Sequence, residues 1–221
     1  MKTQVIIVAA GAGSRLKSKI PKALVLLKRK PLVSWCLGVF EKCSLIDGIV
    51  LVGHKSYLKE FKRIAKDFPK VNAVVAGGAK RADSVLEGIA AVDEDTAIIL
   101  VHDAARPLID EFSVKQLLQV LKNYKAAVLA VPVKPTIKKV NIKNMCVEET
   151  LPRHLLWEVQ TPQGFDREVL VKAHQQKIKE EATDDAMLVE RMGVMVKVVM
   201  GTSRNIKVTT AEDLKVAEKL L

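Results

Sequence analysis

Apolar and polar positions alternate along the chain in two ways. Short, mostly apolar runs at residues 5–10, 49–52, 73–76, 97–101, 126–131 and 194–199 have the length of strands buried on both faces. Between them, apolar residues recur at helical spacing. Leu32, Val33, Cys36, Leu37 and Phe40 place a helix over 31–42, with Pro31 suited to its first turn. Leu58, Phe61, Ile64 and Ala65 make an amphipathic helix over 57–66. Further helices are predicted at 84–91, capped by Asp83 or Ser84, at 113–122 and 166–181, and at 183–192, where Thr183-Asp184-Asp185-Ala186 has the composition of a cap. Thr210-Ala211-Glu212-Asp213 opens the last helix with a capping-box pattern, and residues 205–208 are predicted to be extended.

Strands alternating with helices predict an α/β fold, a mostly parallel sheet with right-handed crossovers and helices on both faces. With no repeat and no low-complexity linker, residues 1–221 read as one domain. Ligands in such sheets bind beyond the carboxyl ends of the strands. Three unusual loops fall there: Gly11-Ala12-Gly13, Gly77-Gly78 and His102-Asp103. Residues 132–150 break the alternation. Pro132 and Pro135 open the stretch, Lys134, Lys138, Lys139 and Lys143 follow without an acid, and no helix appears. It reads as a protruding β-arm. Its Val140, Ile142, Met145 and Val147 need a surface to bury against, and a second subunit's arm is the simplest one.

Composition narrows the class. A hydrophobic content of 49% and a charged content of 28% suit a soluble globular protein, and no apolar run approaches a membrane span. The first apolar run is too short for a signal peptide and leads into basic residues, so a cytoplasmic enzyme is expected. Cys36, Cys43 and Cys146 form no metal-type pair and read as thiols in a reducing compartment. The net charge of +11 could serve nucleic acid, but aromatics are only 4%, so stacking platforms are scarce. Small anionic ligands are the better match, without nucleic acid or membrane.

The charge is also unevenly placed. No acid precedes Glu41, whereas eight Lys or Arg do, among them Arg15 and Lys22 just after the glycines. A strand, a glycine turn and uncompensated cations together form a phosphate site in sequence. Neither a Walker loop nor a dinucleotide fingerprint fits, since no Lys follows the second glycine and position 16 is Leu. Asp103, closing an apolar strand at the ligand end, is a candidate Mg²⁺ ligand, because Mg²⁺ takes one or two carboxylates plus substrate phosphates. His102 reads as structural, since no nucleophile motif accompanies any histidine.

Ala9-Ala10-Gly11-x-Gly13-x-Arg15 with Pro21-Lys22 resembles the signature of sugar nucleotidyltransferases. Gly77-Gly78-x-x-Arg81-x-x-Ser84-Val85, residues 102–107, Thr161-Pro162-Gln163, Thr183-Asp184-Asp185-Ala186 and Asn205-Ile206-Lys207-Val208-Thr209 narrow the resemblance. In that order, over essentially the whole chain, they resemble the 2-C-methyl-D-erythritol 4-phosphate cytidylyltransferase family. The resemblance implies a Rossmann-like nucleotidyltransferase fold and a homodimer whose arms reach the partner's site. It implies transfer of CMP from CTP, with Mg²⁺, to methylerythritol phosphate. Ala9, Ala10, Gly11, Ala12, Gly13, Gly77, Gly78, Arg81, Ser84 and Asp103 would hold the nucleotide. Arg15 and Lys22 would stabilise the transition state. Arg153 and Lys207 would position the substrate phosphate, with Arg106, Thr136, Lys138 and Thr161 completing the substrate site.

Two departures bear on this. Pro135 precedes Thr136 where the family commonly has Asp, and Arg204 precedes Asn205 where an acid is common. The second leaves Asp103 as the sole protein candidate for the metal. Ribitol 5-phosphate cytidylyltransferase is the nearest rival, and a non-catalytic nucleotide- or RNA-binding module is the rival of another class.

Overall fold

A computed structural model describes residues 1–13, 16, 18, 20–176 and 182–221. The chain runs through β1 (Thr3–Ala9), the short strands β2 (Leu26–Leu27) and β3 (Lys30–Pro31), α1 (Leu32–Lys42), β4 (Gly48–Gly53), α2 (Leu58–Ala65) and β5 (Val71–Ala76). Next come α3 (Arg81–Ala91), β6 (Ile98–Asp103), α4 (Glu111–Val120), β7 (Ala126–Pro132) and the arm strands β8 (Lys138–Asn141) and β9 (Cys146–Thr150). The last elements are β10 (Trp157–Asp166), α5 (Arg167–His174), α6 (Asp185–Glu190), β11 (Val196–Met200) and α7 (Ala211–Leu220).

The apolar runs are continuous because successive residues feed two different cores. Val5 and Ile7 of β1 pack with Cys36 and Phe40 of α1, Phe61 of α2 and Leu117 of α4. Ile6 between them packs on the opposite face with Val85 of α3, Leu170 of α5 and Val189 of α6. All three β1 residues are fully buried. Burying each such side chain contributes about 2 kcal/mol. A smaller cluster of Leu27, Leu32, Val208 and Ala217 seats α7 on the β2–β3 hairpin.

Seven strands form one sheet in the order β11-β7-β10-β6-β1-β4-β5. β1 is parallel to β4 and β6, β4 to β5, and β7 to β11; β10 alone is antiparallel to both neighbours. The chain turns from one side of β1 to the other between β5 and β6. A crevice therefore opens beyond the carboxyl ends of β1 and β6, where the glycine loop and Asp103 lie.

The structure corrects several expectations. β10 crosses the middle of the sheet, yet Pro162 and the buried Gln160 and Gln163 hide it from any strand pattern. Pro162 is tolerated because the register with β7 breaks between Val159 and Gln163, so no ladder hydrogen bond is needed there. β6 runs two residues beyond the predicted end and contains His102 and Asp103. α3 starts at Arg81, and Asp83 works from inside its first turn, accepting the Lys80 N–H at 3.0 Å. α5 ends at His174; residues 177–181 of the predicted helix lie outside the described residues. Residues 205–208 form no strand, although Val208 N–H bonds the Ala105 carbonyl at 2.8 Å and so brings Lys207 to the end of β6. The caps at Asp184 and Thr210 form as expected.

The arm is an antiparallel hairpin, Lys138 opposite Thr150 and Asn141 opposite Cys146. Its tip leaves Ile142, Met145 and Val147 at 85%, 75% and 58% exposure in the single chain. No helix among the described residues is long and apolar enough to cross a membrane.

Candidate active site

The glycine loop turns where β1 ends. Gly13 has φ +72°, and the Leu16 N–H closes the turn on its carbonyl at 2.9 Å. A side chain at Gly13 would meet Lys22 Cβ at 2.8 Å, so the glycine lets Lys22 pack directly against the loop. Lys22 opens a single 3₁₀ turn, Lys22–Leu24, anchored by the buried Ala23 and Leu24. Arg15 lies outside the described residues.

The second glycine pair closes on the first. Gly77 N–H bonds the Gly53 carbonyl at 2.9 Å. A Cβ at Gly77 would lie 2.4 Å from Ala10 Cβ and 2.7 Å from Ser84 Oγ. Only a glycine permits this contact between the β1 loop, the β5 loop and the first turn of α3. The amino terminus of α3 faces the same space, and unpaired N–H groups there favour anions. The result is a cleft of about 610 Å³. Ala9 to Ala12, Lys22, Gly77, Gly78, Arg81, Ser84, Asp103 and Lys207, all expected at the site, line it. His54 and Lys55 line it too and were missed; the available signal was their place just beyond β4, at the same end of the sheet.

Asp103 forms part of the wall and is clamped between two cations. Oδ1 accepts from Arg81 Nε at 3.3 Å and Oδ2 from Lys207 Nζ at 2.6 Å. Burial opposes its charge, but Arg81 and Lys207 outweigh that and hold its pKa well below the usual carboxylate range. Burial likewise disfavours the Arg81 charge, and Asp185 and Asp103 overcome it, so the guanidinium stays protonated. In sequence Asp185 stands in a cap and in one of the motifs that carry the family resemblance, with no role of its own. In the fold its Oδ2 accepts from Arg81 Nη1 at 2.8 Å.

A smaller recess of about 220 Å³ adjoins the cleft, sharing Arg81, Asp103 and Lys207 with it. Arg106, Thr161 and Gln163 line it. Arg106 is buried and donates to the carbonyls of Asn205 at 2.7 Å and Val159 at 3.2 Å; burial lowers its pKa. Thr161 Oγ1 accepts the Asp103 N–H at 3.0 Å and sits 3.2 Å from His102 Nδ1. His102 Nε2 lies 3.2 Å from the Arg106 carbonyl, so Nε2 carries the proton and Nδ1 accepts from Thr161. Burial pushes the His102 pKa down to about 4. The imidazole is neutral, fully used and structural, as expected.

Thr136, Lys138 and Arg153 line neither cavity of the single chain. All three are exposed on the arm and its stem. Arg153 Nη1 donates to the Lys134 carbonyl at 2.7 Å, and Lys138 Nζ to Thr150 Oγ1 at 2.5 Å. Arg204 turns away to the end of α7, where it donates to the Leu220 carbonyl. Cys36 and Cys43 are buried free thiols, and Cys146 is an exposed one. Among the described residues no group of three or more His, Cys, Asp or Glu could hold a metal.

A family model described as IspD, 2-C-methyl-D-erythritol 4-phosphate cytidylyltransferase, matches residues 3–221. A protein of that name from Alkaliphilus oremlandii is 45% identical, the match covering 100% of this chain and 95% of its own. One from Halalkalibacterium halodurans is 40% identical, covering 100% and 97%. The crystal structure of 4-diphosphocytidyl-2C-methyl-D-erythritol synthase from Anaerococcus prevotii superposes with a TM-score of 0.87 at 30% identity, over 99% of this chain and 97% of that one. The Francisella tularensis 2-C-methyl-D-erythritol 4-phosphate cytidylyltransferase gives 0.84 at 30%, over 100% of both. The sheet order and these superpositions make the fold the Rossmann-like nucleotidyltransferase fold expected from sequence. With a match from Thr3 to the last residue and relatives at this level of identity, the chain belongs to the 2-C-methyl-D-erythritol 4-phosphate cytidylyltransferase family.

Proposed function

We propose that residues 1–221 act as one catalytic domain that transfers CMP from CTP to 2-C-methyl-D-erythritol 4-phosphate. The products are 4-diphosphocytidyl-2-C-methyl-D-erythritol and pyrophosphate. The observation that carries this reading is the pair of cavities sharing one charged wall, Arg81–Asp103–Lys207. One cavity has the glycine loops and helix end of a nucleotide site. The other has the Arg, Thr and Lys of a site for a small polar phosphate.

The nucleotide lies in the larger cleft, its base against Gly77, Gly78 and Ser84 and its phosphates along Ala10 to Gly13. An oxygen of the substrate phosphate attacks the α-phosphorus of CTP in line. The new bond is phosphate oxygen to α-phosphorus; the bond that breaks joins the α-phosphorus to the bridging oxygen, and pyrophosphate leaves with that electron pair. A phosphomonoester is already a nucleophile, so no general base is required. This accords with a site rich in Lys and Arg whose one buried histidine is neutral and engaged. Lys22, with Arg15, meets the charge that grows on the α-phosphoryl oxygens. Lys207 and Arg106, with Thr161, hold the incoming phosphate beside the wall.

Mg²⁺ fits this donor set. Asp103 offers a carboxylate with further lone pairs at the wall, and the triphosphate supplies the remaining hard oxygens. When bound it would neutralise phosphate charge. The arm of residues 132–150 works in a homodimer: its exposed Ile142, Met145 and Val147 gain a partner, and Thr136, Lys138 and Arg153 reach the neighbouring site. The enzyme is assigned to the cytoplasm. Ribitol 5-phosphate transfer and non-catalytic binding are disfavoured by a family match that runs over residues 3–221.

The test is pyrophosphate release from CTP with methylerythritol phosphate or ribitol 5-phosphate, alongside ATP and GTP controls. Turnover with CTP and methylerythritol phosphate alone is the expected result. Faster turnover with ribitol 5-phosphate, or equal use of the three nucleotides, would overturn the assignment.

A further inference from the structure

Behind the cleft, buried polar groups continue away from the site. Arg81 Nη1 donates to Asp185 Oδ2 at 2.8 Å. The other oxygen, Asp185 Oδ1, lies 3.0 Å from His174 Nε2. Both side chains are 1% exposed. A carboxylate so deeply buried needs every lone pair engaged, because water is not available to it. An imidazole nitrogen facing a carboxylate must donate, so His174 supplies the N–H that Asp185 Oδ1 requires. Gln163 on β10 sets the backbone of this helix start: its Oε1 accepts from the N–H groups of Asp185 and Ala186 at 3.2 Å each. Asp185 is thus held by β10 from one side and by α5 from the other, and it in turn fixes the guanidinium that forms the wall.

We infer that His174 is a positioning residue for the nucleotidyl-transfer site, acting through Asp185 on Arg81. Arg81 stands at the start of α3 with its Nε on Asp103, 3.3 Å away. Its planar fork needs two fixed acceptors to hold one orientation. Asp103 is shared with Lys207, and Asp185 divides its two oxygens, Oδ2 on Arg81 and Oδ1 on His174, so the orientation of the Arg81 acceptor depends on the His174 contact. Without the His174 N–H, Asp185 Oδ1 is left buried and unpaired, and the carboxylate turns toward another donor. Arg81 then loses its rear anchor, and the wall shared by the two cavities loses its shape. His174 touches neither cavity, so its effect on turnover has to pass through this chain.

The kinetic test rests on the proposed use of CTP. His174→Phe keeps a planar ring and removes the donor; His174→Gln keeps an N–H near the position of Nε2. The expected result is a loss of about tenfold in kcat/KM for CTP with Phe and recovery of most of it with Gln. In an Arg81→Ala background the same His174→Phe change should cost less than about twofold, because its target is gone. Losses that multiply, with His174→Phe equally harmful with and without Arg81, would show that it acts by another route. Should His174→Phe not fold, His174→Asn, polar but too short to reach Asp185, is set against His174→Gln in the same assays. A second readout needs no catalysis. The Arg81 Nε–H signal in proton–nitrogen NMR, assigned by its loss in Arg81→Ala, should persist in wild type and His174→Gln and broaden away in His174→Phe or His174→Asn. An unchanged signal in the donor-less variant overturns the inference. Wild type that releases no pyrophosphate from CTP instead defeats the functional reading, and the NMR comparison still decides the role of His174.

Discussion

Mild acid should destabilise this protein through His102. Its ring is fully buried, packed edge-on against Phe40 at 5.1 Å, and both nitrogens are committed. Nε2–H donates to the Arg106 carbonyl, and Nδ1 accepts from Thr161, whose oxygen also receives the Asp103 N–H. Protonating Nδ1 would set two donors against each other in a dry site. Burial is the main reason that its pKa falls from 6.5 to about 4. In the unfolded chain the ring binds its proton near pH 6.5. The unfolded state therefore holds more protons between the two values, and stability falls as pH drops through that window. The full loss is about 3 kcal/mol at 1.36 kcal/mol for each pH unit between the pKa values. From about pH 7.5 to about pH 5.5 the same relation gives about 1 kcal/mol. The assay is urea unfolding at a series of pH values for wild type and for His102→Gln, whose amide can still donate to the Arg106 carbonyl. Subtracting the two curves cancels the other titrating groups. The variant should be less stable than wild type at pH 7.5 and should lose less as pH falls. Parallel curves across the window would refute the reasoning.

Three further outcomes are expected. Gly77→Ala puts a methyl 2.4 Å from Ala10 Cβ and 2.7 Å from Ser84 Oγ, so the glycine loops must part; overpacking of this kind costs about 1–3 kcal/mol in a thermal or urea melt. KM for CTP should rise by about tenfold or more as the base wall shifts, and an unchanged KM would refute a close backbone contact with the nucleotide. Lys22→Ala should lower kcat by about a hundredfold, near 3 kcal/mol, with a smaller change in CTP binding by calorimetry. Near-normal kcat with only a raised KM would mean that Lys22 binds ground state and transition state alike. Lys22→Ala and Arg153→Ala subunits, each inactive alone, should recover up to about half of wild-type activity per heterodimer on subunit exchange, since one site then carries neither lesion. Confirmed heterodimers without recovery would place the action of Arg153 in its own subunit, and a monomer in light scattering would exclude shared sites.

Much of this protein is legible in one dimension. The runs that became β1, β4, β6 and β7 stand out because both faces of each strand are buried, which demands apolar residues without interruption. The caps at Asp184 and Thr210 are local chemistry, decided within three residues. The glycine loops and Asp103 could be gathered into one site before any coordinates, because a parallel sheet puts all its strand ends on one side. Other features depended on chain segments far apart in sequence. Pro162, Gly164 and two buried glutamines look nothing like a central strand, and only pairing with β6 and β7 makes them one. Asp185 read as a helix cap until the fold placed it beside Arg81, 104 residues away, with His174 behind it. The sequence by itself determined the layers, the order of most elements and the phosphate-binding character of one end of the sheet, since these follow from local periodicity and charge. Only the tertiary structure decided how the cations are paired and oriented, because a buried charge takes its partner from whatever the fold packs against it.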